Sequence, residues 1–249
     1  MRRLSLIISL LIFTANAFAQ SCEELLLSGW RFCKGAVEGA QAADFDDSRW
    51  QLVTIPHDWA ISGPFDKDID KQVVAIEQNG EQTADTHTAR SGGLPWIGKG
   101  CYRTSVNIPE VTGRSLILSF DGAMSRAKVI VNGKQAGEWP YGYNAFNVDI
   151  SPFVIKGRNE IAVLLENVEE SSRWYPGAGL FREVRLIDKP SVHIPVWGQY
   201  ITTPVVNDEE ATVTVKTEIE GLANGSIVTL ETVIRDAEGR EAGRRKRGK

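Results

Sequence analysis

Between residues 171 and 184 the chain reads SSRWYPGAGLFREV, so that Arg173, Trp174 and Tyr175 stand together ahead of Pro176, Gly177 and Gly179. A guanidinium donates charge-assisted hydrogen bonds to oxygens, while indole and phenol rings offer flat apolar faces with a polar tip. On a loop shaped by proline and glycine such a set stacks on a ligand or fills a corner of a β-sandwich, and the residue types alone leave both open. The other polar residues carry no catalytic pattern. His57, His87 and His193 each stand alone, no Cys-x-x-Cys or Cys/His cluster has metal-ligand spacing, and no Ser/His/Asp or Cys/His set sits where it would make a nucleophile. Adjacent acids such as Asp46-Asp47 and Glu169-Glu170 read as solvated charges. These patterns point to binding, with no cofactor and no metal implied.

Strands must position such a loop, because the apolar pattern is that of strands throughout. Ser115 to Phe120 (SLILSF) and Arg126 to Val131 (RAKVIV) are short and rich in branched side chains, and the second alternates as a half-buried strand does. Asn132-Gly133 follows, a dipeptide that tolerates positive φ at both centres of a tight turn, so the chain is expected to reverse there into Gln135 to Trp139. Further strands are expected at Ala145 to Ile150, Glu160 to Glu166 and Arg182 to Ile187. Residues 58–100 interrupt the pattern with Gly63-Pro64, Asn79-Gly80 and Ser91-Gly92-Gly93 and few apolar residues. Ordering so long an irregular stretch costs entropy, which marks it as a lid or rim of a binding surface. Beyond Lys189-Pro190, Val213, Val215 and Ile219 alternate with polar residues, as do Val228, Leu230 and Ile234. Two one-face-buried strands joined through Gly221 to Gly225 are expected there, in the manner of an immunoglobulin-type sandwich. Such a sandwich needs ~7 strands and only about three or four fit, so this domain is expected to be incomplete.

Composition sets the outer limits. A chain of 249 residues with 42% hydrophobic content suffices for one large or two medium packed domains. A net charge of −4 without long acidic blocks gives no reason to expect a nucleic-acid partner. The one basic cluster, Arg244-Arg245-Lys246-Arg247, fits a polyanion contact or a solvated, frayed terminus. Arg2-Arg3, the apolar run Leu4 to Phe13 and Ala17-Phe18-Ala19 have the order of a secretory signal peptide, so residues 1–19 are expected to direct export to the periplasm or exterior. That run is too short to cross a bilayer as a permanent helix, and no membrane association is expected unless the chain is lipidated at Cys22. Cys33 and Cys101 fit either a disulfide in an oxidising compartment or two buried free thiols.

A series of motifs then appears in order. Trp50 precedes Ile55-Pro56-His57-Asp58-Trp59; Gly92-Gly93-Leu94-Pro95-Trp96 leads to Gly100-Cys101-Tyr102-Arg103; Phe120-Asp121-Gly122, Val131-Asn132-Gly133, Gly142-Tyr143 with Phe146, and the 171–184 stretch follow. Together they resemble the N-terminal sugar-binding domain of glycoside hydrolase family 2, above all that of secreted bacterial β-galactosidases, over roughly residues 25–188. Cys101 is a departure, since the family usually has tryptophan there. The resemblance implies an all-β chain: a jelly-roll, galactose-binding-like β-sandwich over residues 20–188, followed by an incomplete immunoglobulin-like β-sandwich over residues 189–249. It also implies that the loops matching 56–59 and 173–175 approach a sugar held in a catalytic barrel. Asp58 then accepts from sugar hydroxyls, Arg173 donates to sugar oxygens, and Trp174 completes the substrate-binding rim, with no catalytic residue in this chain. Some galactosidases place an acidic residue that orients sugar and metal where this chain has Arg173, so no metal site is carried over. Trp59 is expected in the core or an interface, and Trp174, Tyr175 and Gly177 to Gly179 fit a structural corner as well as a sugar contact.

Retaining glycosidases need two carboxylates ~5 Å apart, and in this family they are carried on an α/β barrel of ~250 residues. Residues 188–249 read as strand, so the barrel is expected to be absent and the chain inactive by itself. The leading reading is the sugar-binding portion of a β-galactosidase-like enzyme that hydrolyses O-glycosyl bonds in carbohydrate metabolism. Its partners are then a β-galactoside-like carbohydrate and the missing barrel. The alternatives are a stand-alone carbohydrate-binding module and an inactive structural or interaction relic. As a loop carboxylate, Asp58 is expected to be removable without disturbing the sandwich core.

Overall fold

A computed structural model describes residues 21–66, 69, 72–74, 85–87, 95–168 and 175–248. The chain divides into two compact units, the first ending at Pro190 and the second comprising Ser191–Lys249. In chain order the first contains β1 (Cys22–Leu25), β2 (Trp30–Lys34), β3 (Gln51–Val53), β4 (Gln72–Val74), β5 (Asp85–His87), β6 (Lys99–Ile108), β7 (Arg114–Phe120), β8 (Ala127–Val131), β9 (Lys134–Trp139), β10 (Phe146–Asp149), β11 (Gly157–Glu166) and β12 (Val184–Pro190). A 3₁₀ turn, Ala60–Ser62, is the single helical element among the described residues.

Two antiparallel sheets carry this unit, one ordered β1-β12-β7-β10 and the other β3-β2-β6-β11-β8-β9, with β4 and β5 forming a separate hairpin. Alternation along each strand sends one set of side chains inward. Leu116, Leu118 and Phe120 of β7, Val184 and Leu186 of β12, Val129 and Val131 of β8, and Ile161, Val163 and Leu165 of β11 all join one buried core cluster. Burying each such side chain contributes roughly 1.5–3 kcal/mol relative to exposure. The all-β sandwich expected for this region is observed. The Asn132-Gly133 turn is also as expected: φ is 50° at Asn132 and 77° at Gly133, and Val131 pairs with Lys134. The Asn132 side chain adds bonds to the Phe153 carbonyl and to Asn159 Oδ1.

Sequence patterning does not reveal β2 and β6. Arg103 interrupts the apolar run of β6 and faces away from the core, yet it is 1% exposed. Its Nε donates to Asp47 Oδ2 at 2.9 Å, and its Nη1 donates to the Ala40 and Ala42 carbonyls at 2.6 and 3.0 Å. The ring of Phe45 lies 5.5 Å from the guanidinium. A buried charge is tolerated only when paired and fully hydrogen-bonded, so this guanidinium pins residues 40–47 over the outer face of the sheet.

The second unit consists of two antiparallel hairpins, β13 (Gln199–Val206) with β14 (Ala211–Thr217), and β15 (Thr229–Arg235) with β16 (Glu241–Gly248). The alternating segments near 213 and 230 are strands joined through Gly221 to Gly225, and each takes its own sequence neighbour as partner. The basic cluster at 244–247 is not a frayed end but part of β16, where Arg244 bonds to Glu231 and Glu241, and Lys246 faces Glu231 at 3.6 Å. These strands are largely exposed rather than one-face-buried. About half of the lid or rim assigned to residues 58–100 lies outside the described residues, as do Arg173 and Trp174.

Lone two-stranded hairpins that bury little apolar surface are marginal in water, so the second unit opens at lower free energy than the first. Limited proteolysis with a broad-specificity protease is therefore expected to leave a lasting product ending near residue 190. Uniform resistance through residue 248 would contradict this.

Candidate functional site

Two segments meet at one end of the first unit. The first runs from the end of β3 through a cis Ile55-Pro56 bond into His57 to Ala60, and the second is the stretch from Tyr175 to Leu180. They pair through their backbones: His57 N–H donates to the Leu180 carbonyl at 2.7 Å and Trp59 N–H to the Ala178 carbonyl at 2.9 Å. Asp58 closes the gap between these bonds. Its Oδ1 accepts from the Ala60 and Ala178 N–H groups, both at 2.9 Å, and its Oδ2 accepts from the Tyr175 hydroxyl at 2.6 Å. Hydrogen bonds to an ionised acceptor are shorter and about twice as strong as neutral ones, so one carboxylate joins segments far apart in sequence. Burial, followed by the bond to Asp58 and its charge, pushes the Tyr175 phenol well above its ordinary range, so it stays a donor.

The layer beneath is aromatic. Trp59 is 1% exposed, stacks on Phe32 at 5.5 Å and donates its indole N–H to the Ile97 carbonyl at 2.6 Å, which places it in the core. Tyr102 is fully buried, burial holds its phenol protonated, and its hydroxyl lies 2.7 Å from His57 Nδ1. A phenol donating to Nδ1 suits a neutral imidazole with its proton on Nε2. Gly179 adopts φ of 122°, and a Cβ there would fall on the Tyr102 hydroxyl and 2.5 Å from the His57 carbonyl oxygen. The fold accepts only glycine at that crossing. Its backbone pairs with Met124 in both directions, while Asn167 donates from Nδ2 to the Gly177 carbonyl at 2.7 Å.

Above this layer Asp58 is half-buried and Tyr175 is 43% exposed. Each carboxylate oxygen has two acceptor sites, so Oδ2 retains one for a ligand while Tyr175 occupies the other. A cleft of about 340 Å³ lined by Phe32, Cys33, Lys34, Trp50, His57 and Trp59 adjoins the same segment. Of the residues expected to bind substrate, Asp58 therefore sits at the junction, whereas Arg173 and Trp174, which precede Tyr175 in sequence, are outside the described residues. Tyr175, Tyr102 and Asn167 are the site residues that sequence reasoning missed as a set. Tyr175 was visible in the aromatic stretch, but nothing local announces a partner 117 positions away. Among the described residues no group of three or more His, Cys, Asp or Glu is placed to hold a metal ion, and no helix is long and apolar enough to cross a membrane.

The sandwich and this polar, aromatic-floored edge define a β-sandwich binding module. Residues 26–190 match the family model described as glycosyl hydrolases family 2, sugar binding domain, and the chain belongs to that family. It is 34% identical over 218 residues to a beta-galactosidase of Bacteroides ovatus, covering 85% of this chain and 23% of that protein. It is 30% identical over 215 residues to a putative beta-glucuronidase of Formosa agariphila, covering 86% of this chain and 19% of that protein. Among solved structures, a beta-glycosidase from Bacteroides vulgatus matches with a TM-score of 0.78 at 28% identity, over 91% of this chain and 28% of that one. A beta-glucuronidase from Bacteroides uniformis matches at 0.74 and 26% identity, over 92% and 26%. The chain thus spans about a quarter or less of the length of the curated relatives it matches.

The expectation that Asp58 can be removed without disturbing the sandwich does not survive its three bonds. Asp58→Ala leaves the Ala178 N–H without this acceptor and frees Tyr175, a loss of about 1–3 kcal/mol. The melting temperature of the variant should fall by ~2–4 °C per kcal/mol, and Tyr175→Phe, which removes one bond, should fall less. Thermal unfolding of both variants checks the order.

Burial lowers the His57 pKa from its ordinary 6.5, with the Asp58 charge opposing the shift. A depressed folded-state value means that the unfolded chain binds the proton more readily. The His57 contribution is thus fully present above 6.5 and is lost as pH falls through the folded-state value. Urea midpoints measured across that window should decline with falling pH in the parent and decline less in His57→Gln.

Proposed function

We propose that this chain is the sugar-binding part of an exported family 2 β-glycosidase, and that the junction of residues 57–60 with 175–180 forms one rim of its sugar subsite. The observation that carries the proposal is the Asp58 carboxylate, held by Ala60, Ala178 and Tyr175 with one acceptor position left over at a half-exposed edge. A fixed carboxylate beside a phenol suits a polyhydroxylated ring, whose hydroxyls donate and accept. Arg173 and Trp174 complete the rim in this reading, the first as donor to sugar oxygens and the second as stacking face. A β-galactoside is the favoured ligand class because the relative sharing 34% identity is named a beta-galactosidase. The glucuronidase names among the other relatives make a β-glucuronide the second candidate. Residues 1–19 supply the export signal, and residues after Pro190 begin an immunoglobulin-like domain. Bond cleavage requires an acid and a nucleophile on a barrel, which this reading assigns to polypeptide outside these 249 residues.

A rim supplies only part of a sugar's contacts, and association itself costs several kcal/mol. Galactose titrated into the 249-residue chain is therefore expected to bind in the millimolar range or more weakly, roughly −4 kcal/mol or less favourable. The longer polypeptide that the proposal requires should hydrolyse an aryl β-galactoside. In it, Arg173→Ala and Trp174→Ala should each lower kcat/KM by about tenfold or more at unchanged melting temperature, consistent with ~1–3 kcal/mol per lost contact. Micromolar galactose binding by the 249-residue chain would favour a stand-alone module instead.

A further inference from the structure

Cys33 and Cys101 are direct partners across the antiparallel β2–β6 pair. Gly35, two residues on from Cys33, donates its N–H to the Lys99 carbonyl at 2.7 Å in the same register. Hydrogen-bonded and non-hydrogen-bonded pairs alternate along such a ladder, so Cys33 and Cys101 occupy a hydrogen-bonded pair, with Cα atoms about 5.5 Å apart. That separation is close to the commonest one for bridged cysteines, whose usual range is about 4.4–6.8 Å. Directly opposed residues also project from the same face of a sheet, so both thiols leave the sheet together. Their contacts agree: Cys33 Sγ donates to the Lys34 carbonyl at 3.7 Å and Cys101 Sγ to the adjacent Gly35 carbonyl at 3.6 Å. Both are free thiols, Cys33 half-buried and lining the cleft beside His57 and Trp59, and Cys101 buried.

We propose that this pair is a thiol switch, which a low-molecular-weight disulfide converts into a cross-strand Cys33–Cys101 bond. Cys33, the accessible member, attacks the reagent as thiolate, forming a mixed disulfide and expelling one reagent thiolate. Cys101 then gives up its proton to solvent and attacks the Cys33 sulfur, expelling the second thiolate. Two protein thiols are oxidised, one reagent disulfide is reduced to two thiols, and no other reactant enters. The bond ties together the strands that carry Phe32 and Tyr102, whose rings lie 4.8 and 5.7 Å from His57, so oxidation stiffens the floor of the candidate site. The inference rests on strand register and stands apart from the identity of any sugar.

The test uses the whole chain with Cys22→Ser, since Cys22 is exposed and would react on its own. Incubation with oxidised glutathione, alkylation and non-reducing peptide mapping should show a peptide joining residues 33 and 101 and loss of both thiols to the alkylating reagent. The melting temperature should rise by about 5–10 °C and return on adding dithiothreitol. Cys101→Ser should stop at a glutathione adduct on Cys33 with no such rise, and Cys33→Ser, which keeps the buried member, should form neither adduct nor cross-link. Two thiols that stay alkylatable in the folded chain, or an adduct that persists on Cys33 while Cys101 remains free, would overturn the proposal.

Discussion

The candidate site depends on how one carboxylate is satisfied. A segment entering from β3 and a segment leading into β12 must lie side by side at the end of a sandwich, where sheet pairing has run out and backbone N–H groups would otherwise lack acceptors. Two backbone bonds align His57 with Leu180 and Trp59 with Ala178, and Asp58 collects the N–H of Ala178, the N–H of Ala60 and the phenol of Tyr175. Because the acceptor is charged and its donors come from both segments, this junction is set by electrostatics as much as by packing. Gly179 imposes the complementary condition from below, since its lack of a Cβ lets Tyr102 and the His57 carbonyl approach the second segment. The carboxylate that holds the loops together also stands at the half-exposed edge of the candidate site.

Arg103 solves a related problem on the outer face of the larger sheet. Its guanidinium could not be left beneath a covering loop unless each donor direction met an oxygen; Asp47 and the carbonyls of Ala40 and Ala42 serve Nε and Nη1, while the Ala43 carbonyl and Glu160 face Nη2. The consequence is that residues 40–47, with no strand of their own, have a defined place. Truncating Arg103 would leave loop carbonyls without these donors and Asp47 with Arg31 as its remaining cation, whereas the surface ion pairs of β15 and β16 sit in water and contribute little.

Membership of glycosyl hydrolase family 2 gives these features a common purpose. A sugar-binding domain of this family presents its loops on a sandwich, and here the strands of both sheets, apart from the β8–β9 hairpin, pair with partners well separated in sequence. Rigid scaffolds with functional loops at their ends are how such folds separate stability from recognition.

Local chemistry announced much of the first unit. Positive φ at Asn132 and Gly133 follows from what Asn-Gly tolerates, alternating apolar residues located β7 to β12, and the ordered motifs from Trp50 to Phe181 carried the family. These are short-range or order-based signals, and neither requires knowledge of what lies across the fold. What the tertiary structure alone decided is which distant groups meet. Arg103 breaks an apolar run and hides a central strand until Asp47 and the loop carbonyls are seen around it. The strands near 213 and 230 each pair with their own sequence neighbour, and the basic cluster at 244–247 belongs to β16, in antiparallel register with β15. The residue types of PHDW and WYPGAG were legible as loop chemistry in sequence. That Asp58 reaches Tyr175 and Ala178, and that Cys33 faces Cys101, follows only from strand register, since hydrogen bonding and side-chain apposition depend on ångström distances that separation along the chain does not encode.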